Sequence, residues 1–270
     1  MDQLIIAIEE CDYVNEPLCT PADVAELFVY TEGLWNTPIT RTIFLMGLAA
    51  LIVVLVLYLA YRKPRLVPTK FQAIVDSVVQ FVREDVAIGT IGPEGIKYFP
   101  YLLSIFLLIL VGNLFEITPF INFPITGRMA IPAFLAIVTY LIFIVVGLAK
   151  NGFGYLSGIV WPKSVPLAMR WLVGLIEFIS YFLIRPISLA VRLFANMVAG
   201  HVMLSILLVS GFVFLTHIPD IPLKGAMFGT LWFALGLAIF VFEVLVSVLQ
   251  AYIFTLLSAV YIQSSVHPEH

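Results

Sequence analysis

The chain has 270 residues, 61% of them hydrophobic and 11% charged, with a mean hydropathy of +1.07. So apolar a composition excludes a water-soluble globule and reads as an all-α integral membrane protein with several spans. The net charge of -3 decides little, but the only cysteines, Cys11 and Cys19, both lie in the first segment, which excludes a cysteine-held metal or iron–sulfur site.

Ahead of Arg41 stand Asp2, Glu9, Glu10, Asp12, Glu16, Asp23, Glu26 and Glu32, with no Lys or Arg. This start lacks a basic stretch followed by an apolar core, so no cleavable signal is expected. Residues 1–38 read as an acidic segment and residues 39–270 as the membrane domain. The two cysteines are equally compatible with a disulfide in an oxidising compartment and with free thiols. A first span over 42–61 is uncharged and matches a core ~30 Å thick. Arg62, Lys63, Arg65 and Lys70 follow it directly, so the acidic start is expected outside and the Arg62 end in the cytoplasm.

Thr69 and Gln72 have capping-box spacing and open an amphipathic helix over 69–88. Phe71, Ile74, Val75, Val78, Phe81 and Val82 share one face, as expected of a helix lying on the cytoplasmic surface. Gly89, Gly92, Pro93 and Gly95 end it. Two further spans, 99–118 and 131–149, are joined by an outer loop. Asn113 and Glu116 sit near the outer end of the first, where a lone acid is as readily interfacial as functional. Lys150, Lys163 and Arg170 mark the next loop as cytoplasmic.

The last two apolar runs, 171–215 and 225–266, are too long to cross upright. The first would extend ~65 Å as a helix, about twice the hydrocarbon thickness. Its one proline, Pro186, is tolerated as a kink. A re-entrant turn or a steep tilt accommodates such length, and two long, strongly tilted helices forming an antiparallel hairpin are the preferred arrangement. At about 100° per residue, Ser188, Arg192 and Asn196 share a stripe with Arg185 close to it, and His201 lies opposite. Glu243, Ser247 and Gln250 form a second stripe. Folding the hairpin about Pro219 brings Arg192 level with Val246, near Gln250, and His201 level with Leu237, a little under two turns from Glu243. A guanidinium in hydrocarbon costs several kcal/mol unless matched by a partner or by water. No carboxylate of this chain falls close to Arg192, so its counter-charge is expected on another polypeptide.

The strings RPISLAVRLFANMVAGH and FEVLVSVLQAYIFTLLSAVYI closely resemble the paired signatures of subunit a of the F-type ATP synthase family. The resemblance covers nearly all of the chain from the first span onward and leaves the acidic start outside. It implies that Arg192 faces a rotating ring of c subunits, with Gln250 beside it and Ser188 and Asn196 flanking. It implies that His201 and Glu243 line a channel, and that Asn113 and Glu116, in an Asn-x-x-acid-x-x-Pro segment ending at Pro119, stand near its outer mouth. Glu177 resembles an acid of the inner channel, one residue out of the commonest register. Ala195 replaces a frequent Gly, in keeping with close helix packing.

What the resemblance implies is a proton-translocating stator subunit with two offset half-channels, in which Arg192 promotes deprotonation of the ring carboxylates and blocks direct leakage. The implied partners are the c-subunit ring, a peripheral-stalk b-type subunit, the rest of the ATP synthase complex and the lipid bilayer. No nucleic acid, metal or cofactor is expected, nor catalysis by this chain on its own. The implied location is a bacterial plasma membrane, with an outer N-terminus and a cytoplasmic C-terminus. A proton-coupled secondary transporter is the rival reading. It requires two internally similar halves with interrupted helices, and no such repeat is visible.

Overall fold

A computed structural model describes residues 17–19, 41–63, 68–118, 125–152, 154–161, 166–219 and 221–266. The carboxylates ahead of Arg41, and Cys11, Arg65, Pro119 and Lys163, lie outside the described residues. Among the described residues all regular structure is helical: α1 (Arg41–Tyr61), α2 (Lys70–Phe81), α3 (Phe99–Ile117), α4 (Ala130–Asn151), α5 (Gly154–Val160), α6 (Leu167–Ile179), α7 (Arg185–Thr216) and α8 (Pro222–Val266). Five helical runs among the described residues are long and apolar enough to cross a membrane: Thr42–Tyr61, Phe99–Ile117, Ala130–Asn151, Met169–Thr216 and Pro222–Val266. The protein is therefore an all-α, multi-pass integral membrane protein.

Two stretches widen into π-helix. Ser180–Ile184 joins α6 to α7 without ending the helical run, and the Arg185 N–H reaches back to the Ser180 carbonyl. Pro186 follows at once. It has no N–H to donate and its ring crowds the carbonyl four residues back, so the turn before it opens instead of breaking. Val82–Ile88 similarly extends α2. That helix starts at Thr69, whose hydroxyl accepts from the Gln72 N–H at 3.3 Å. Its run ends at Gly92, where φ is +90°, a value that requires glycine.

The chain divides into two compact units. One comprises Met46–Gly112, Met129–Phe194 and Leu249–His270. Its core joins Val82, Val86 and Ile91 to Leu102, Phe106 and Ile109 of α3, Phe143 of α4, Leu189 and Leu193 of α7, and Phe254 and Ile262 of α8. The apolar face expected of the 69–88 helix therefore divides. Its second half is core, with Phe81 against the rings of Phe106 and Tyr252, while Phe71 and Ile74 stay exposed. The end of α1 is tied to α2 by the Tyr61 hydroxyl, which donates to Asp76 at 2.8 Å. Leu51, Val54, Leu55 and Leu59 of α1 are uncovered by the chain, as a helix bathed in lipid requires.

The other unit comprises Met1–Leu45, Asn113–Arg128 and Ala195–Val248. Here the long helices α7 and α8 form an antiparallel hairpin whose contacts run through glycines. A Cβ on Gly211 would meet the Phe233 N at 2.6 Å, one on Gly229 the Leu215 side chain at 2.9 Å, and one on Gly236 the Leu208 side chain at 2.7 Å. Small residues let membrane helices approach closely, and dispersion between them then holds the pair. These pairs fold the hairpin about Pro222 and not about Pro219, which brings His201 level with Glu243 in place of Leu237. Pro17–Cys19 lies against the same unit. The Cys19 N–H donates to the Ser210 hydroxyl at 2.9 Å, that hydroxyl reaches the Cys19 carbonyl at 3.3 Å, and the Trp232 indole donates to the Pro17 carbonyl at 2.7 Å. Cys19 is disulfide-bonded.

Candidate functional site

Three helices of the glycine-packed unit bring titratable side chains together. The outer end of α3 supplies Asn113 and Glu116, α7 supplies His201, and α8 supplies Glu243 and Ser247. All five are buried, Glu116 with only 2% of its surface exposed and His201 with 4%. Glu116 Oε1 stands 3.6 Å from His201 Nδ1. Neither carboxylate oxygen of Glu116 has a hydrogen-bond partner among the described residues. Glu116 is thus not a solvated acid at a span end. It is buried opposite an imidazole, at a distance that a small movement converts into a hydrogen bond.

Glu243 completes the group. Its carboxylate occupies the volume that a side chain at position 200 would fill, since a Cβ on Gly200 would overlap both carboxylate oxygens. Gly200 is therefore what admits an acid between α7 and α8 beside His201. Glu243 also lies within Coulombic reach of Glu116. On the other side, Asn113 Oδ1 accepts from the Thr126 hydroxyl at 3.3 Å, so the loop segment Ile125–Gly127 caps the cluster. Two acids around one imidazole form a set of proton acceptors and donors in sequence, with the polar amide of Asn113 to hold water or orient a carboxyl.

The remaining sequence-derived positions are distributed differently. In the α3–α4–α7–α8 core unit, Gln250 is buried, Ser188 and Glu177 are half-buried, and Arg192 is exposed. No carboxylate among the described residues pairs with Arg192. Its neighbours Ile187 and Val191 are exposed too. Asn196, assigned to the glycine-packed unit, is exposed as well. A guanidinium on the outer surface of a membrane span, uncovered by its own chain, is unstable against lipid and demands a polar partner.

Comparison with known proteins bears on the same helices. Residues 43–263 match the model of the ATP synthase A chain family. The chain belongs to this family. A protein of Frankia alni named ATP synthase subunit a is 37% identical over 241 residues, 88% of this chain and 81% of its own length. That of Dinoroseobacter shibae is 39% identical over 234 residues, 87% of this chain and 88% of its own. That of Cereibacter sphaeroides is 33% identical over 270 residues, all of this chain and 94% of its own. The family match contains every position from Asn113 to Gln250 discussed above.

Gly200, Thr126 and Ser210 carry structural duties that no motif in the sequence announces. For Gly200 the cue is its place directly before His201, but which residue would use the space depends on the hairpin register. Thr126 and Ser210 act on residues 13 and 191 positions away, and no local pattern announces such pairs.

Proposed function

We propose that this chain is the proton-translocating stator subunit of the membrane sector of a rotary ATP synthase. Its two offset half-channels serve the carboxylates of a rotating c-ring. A single observation carries the reading: Arg192 is exposed on a membrane-spanning helix, without a carboxylate of the described chain to neutralise it. A rotor acid that arrives, ionises and departs meets that demand. A permanent internal partner would not leave the charge available.

In this account a proton enters from outside through the group of Asn113, Glu116, His201 and Glu243, and is passed to a ring carboxylate. The neutral carboxyl can then travel through lipid, whereas an ionised one would face a large desolvation cost. When it reaches Arg192, with Gln250, Ser188 and Asn196 around it, the fixed positive charge favours the carboxylate, and the proton leaves inward past Glu177. The same charge repels protons that would otherwise pass directly between the half-channels. Each charge carried across 100 mV supplies about 2.3 kcal/mol, which the ring transmits as torque to the catalytic head. The chain itself is non-catalytic. The peripheral stalk's b-type subunit would hold it still.

The orientation proposed is an outer N-terminus and a cytoplasmic C-terminus in a bacterial plasma membrane. The basic cluster Arg62–Lys63 after α1 supports it, as does the disulfide at Cys19, a bond that persists on the oxidising side. The test is Arg192→Ala in membranes carrying the assembled complex. Proton-driven ATP synthesis should fall below detection while the c-ring still co-purifies. Retained synthesis at more than a tenth of the normal rate overturns the assignment of Arg192.

A further inference from the structure

Seven residues before Arg192, at the start of α7, a second guanidinium is held in a way that the proposed mechanism does not use. Arg185 lies 3.5 Å from the centroid of the Tyr181 ring and 5.1 Å from that of Tyr261 on α8. Its Nη1 donates to the Ser264 hydroxyl at 3.1 Å. The anchor is itself held, because the Ser264 hydroxyl donates to the Tyr261 carbonyl at 2.9 Å, and the next residue ties this end of α8 down: Tyr155 on α5 hydrogen-bonds the Ser265 hydroxyl at 2.8 Å and the Asn151 amide donates to the Ser265 carbonyl at 2.9 Å. All these residues belong to one compact unit, which also contains Arg192.

The groups facing Arg185 are phenols: Tyr181 on its own helical run, Tyr261 on α8, and Tyr155 on α5. Tyr140 on α4 acts on Tyr155 in turn. Burial pushes the Tyr155 hydroxyl above its ordinary range, so it stays neutral. No carboxylate among the described residues pairs with Arg185. Glu177, eight positions earlier, is the nearest acid along the run. Stacking on rings and one hydroxyl bond orient a guanidinium without neutralising it. The result is a permanent, immobilised positive charge. On a helix, residues seven apart return to the same stripe about 10 Å away, so this charge stands two turns below Arg192 on its face.

We propose that Arg185 is a second fixed cation of the translocation path, a positioning charge that disfavours the proton where the rotor carboxyl releases it. The inference rests on the stator reading above, in which Arg185 lies inward of Arg192. Arg192 acts at contact range; Arg185 biases the same station through space from a caged position. At about 10 Å, a unit charge alters a carboxyl's proton affinity by about 0.3 pH unit with water-like screening and about 1.2 units with the screening typical near protein. Removing the charge makes the carboxyl hold its proton more tightly, so release then requires a more alkaline inner side.

The experiment measures ATP synthesis by membrane vesicles holding the complete complex, as a function of inner-side pH at constant outer pH. Arg185→Gln should move the midpoint alkaline by about 0.3 to 1.2 units, and Arg185→Lys, which keeps the charge, should leave it in place. Ser264→Glu sets an anion against an intact Arg185 and should reproduce the alkaline displacement, which keeps the proposal testable if Arg185→Gln does not assemble. A lowered maximal rate with an unmoved midpoint in Arg185→Gln, or in Ser264→Glu where that variant has to stand in, means that Arg185 is a mechanical clamp, and overturns the proposal. So does an equal displacement in Arg185→Lys. Arg192→Ala run alongside keeps the two readings apart: if it leaves synthesis intact, the stator reading fails, whatever Arg185 does.

Discussion

Replacing Gly200 with alanine tests the geometry around Glu243 with a single methyl group. The new Cβ would overlap the Glu243 carboxylate, and ordinary van der Waals contact requires that carboxylate to retreat by about 1 Å. Glu243 is 7% exposed and His201 4%, so the side chain has little room to yield and the strain falls on the α7–α8 contact. Overpacking of this kind costs about 1–3 kcal/mol, small enough for the complex to assemble. A 1 Å misplacement at a reacting group costs on the order of 100-fold in rate, and the observable loss should be in proton flow. The assay is ATP-driven acidification of inverted vesicles, beside the quantity of assembled complex. Gly200→Ala should reduce proton pumping at least tenfold at unchanged assembly. Glu243→Asp in the same chain shortens the acid by one methylene and should restore part of it. Pumping within twofold of the unaltered protein in Gly200→Ala would refute the claim that Gly200 exists to seat this carboxylate.

Three further outcomes follow from the glycine-packed unit. Ser210→Val leaves the buried Cys19 N–H without its acceptor at a cost of about 1–3 kcal/mol; the Cys19 amide should exchange its hydrogen faster, and unchanged protection counts against the Pro17–Cys19 attachment. Alkylation of the denatured chain should add no mass at cysteine until a reductant is supplied, whereas adducts before reduction contradict the disulfide at Cys19. Gly211→Leu would drive a branched side chain into the Phe233 backbone, 2.6 Å from the first added carbon. It should abolish accumulation of the assembled complex on native gels, where Gly47→Leu, with nothing within 4 Å of its Cβ, should not.

The number of spans was legible because hydrocarbon thickness and helical rise set a length that α1, α3 and α4 meet and the last two runs exceed twofold. Pro186 was correctly tolerated within a continuous run, but its effect, a π-turn over Ser180–Ile184, depends on how neighbouring turns relax. The hairpin centre lies three residues beyond the Pro219 that the turn suggests, which moves each cross-helix pair by six, because the register is set by which glycines nest against Phe233, Leu215 and Leu208 and not by the turn. Folding about Pro219 separates His201 from Glu243, which the structure brings level. Glu116 is ambiguous in sequence because a carboxylate at a span end looks the same whether it meets water or an imidazole. The exposed Phe71 and Ile74 show the converse: periodicity identifies a face, but not what covers each half of it. Helical spacing places Arg185 near the Arg192 stripe, yet its cage joins residues 79 positions apart, beyond the reach of any local pattern.

The account depends most on Arg192 looking out at a moving acid of another polypeptide. Ala195, three residues on and exposed, allows a direct test that keeps the arginine. With Ala195→Cys in this chain and a cysteine one helical turn from the essential carboxylate of the small ring subunit, oxidation should join the two proteins in a single band and arrest ATP hydrolysis until a reductant frees the rotor. If oxidation yields no joined product while both cysteines react with alkylating reagents in the assembled complex, Arg192 does not face the ring, and the stator assignment of this helix is wrong.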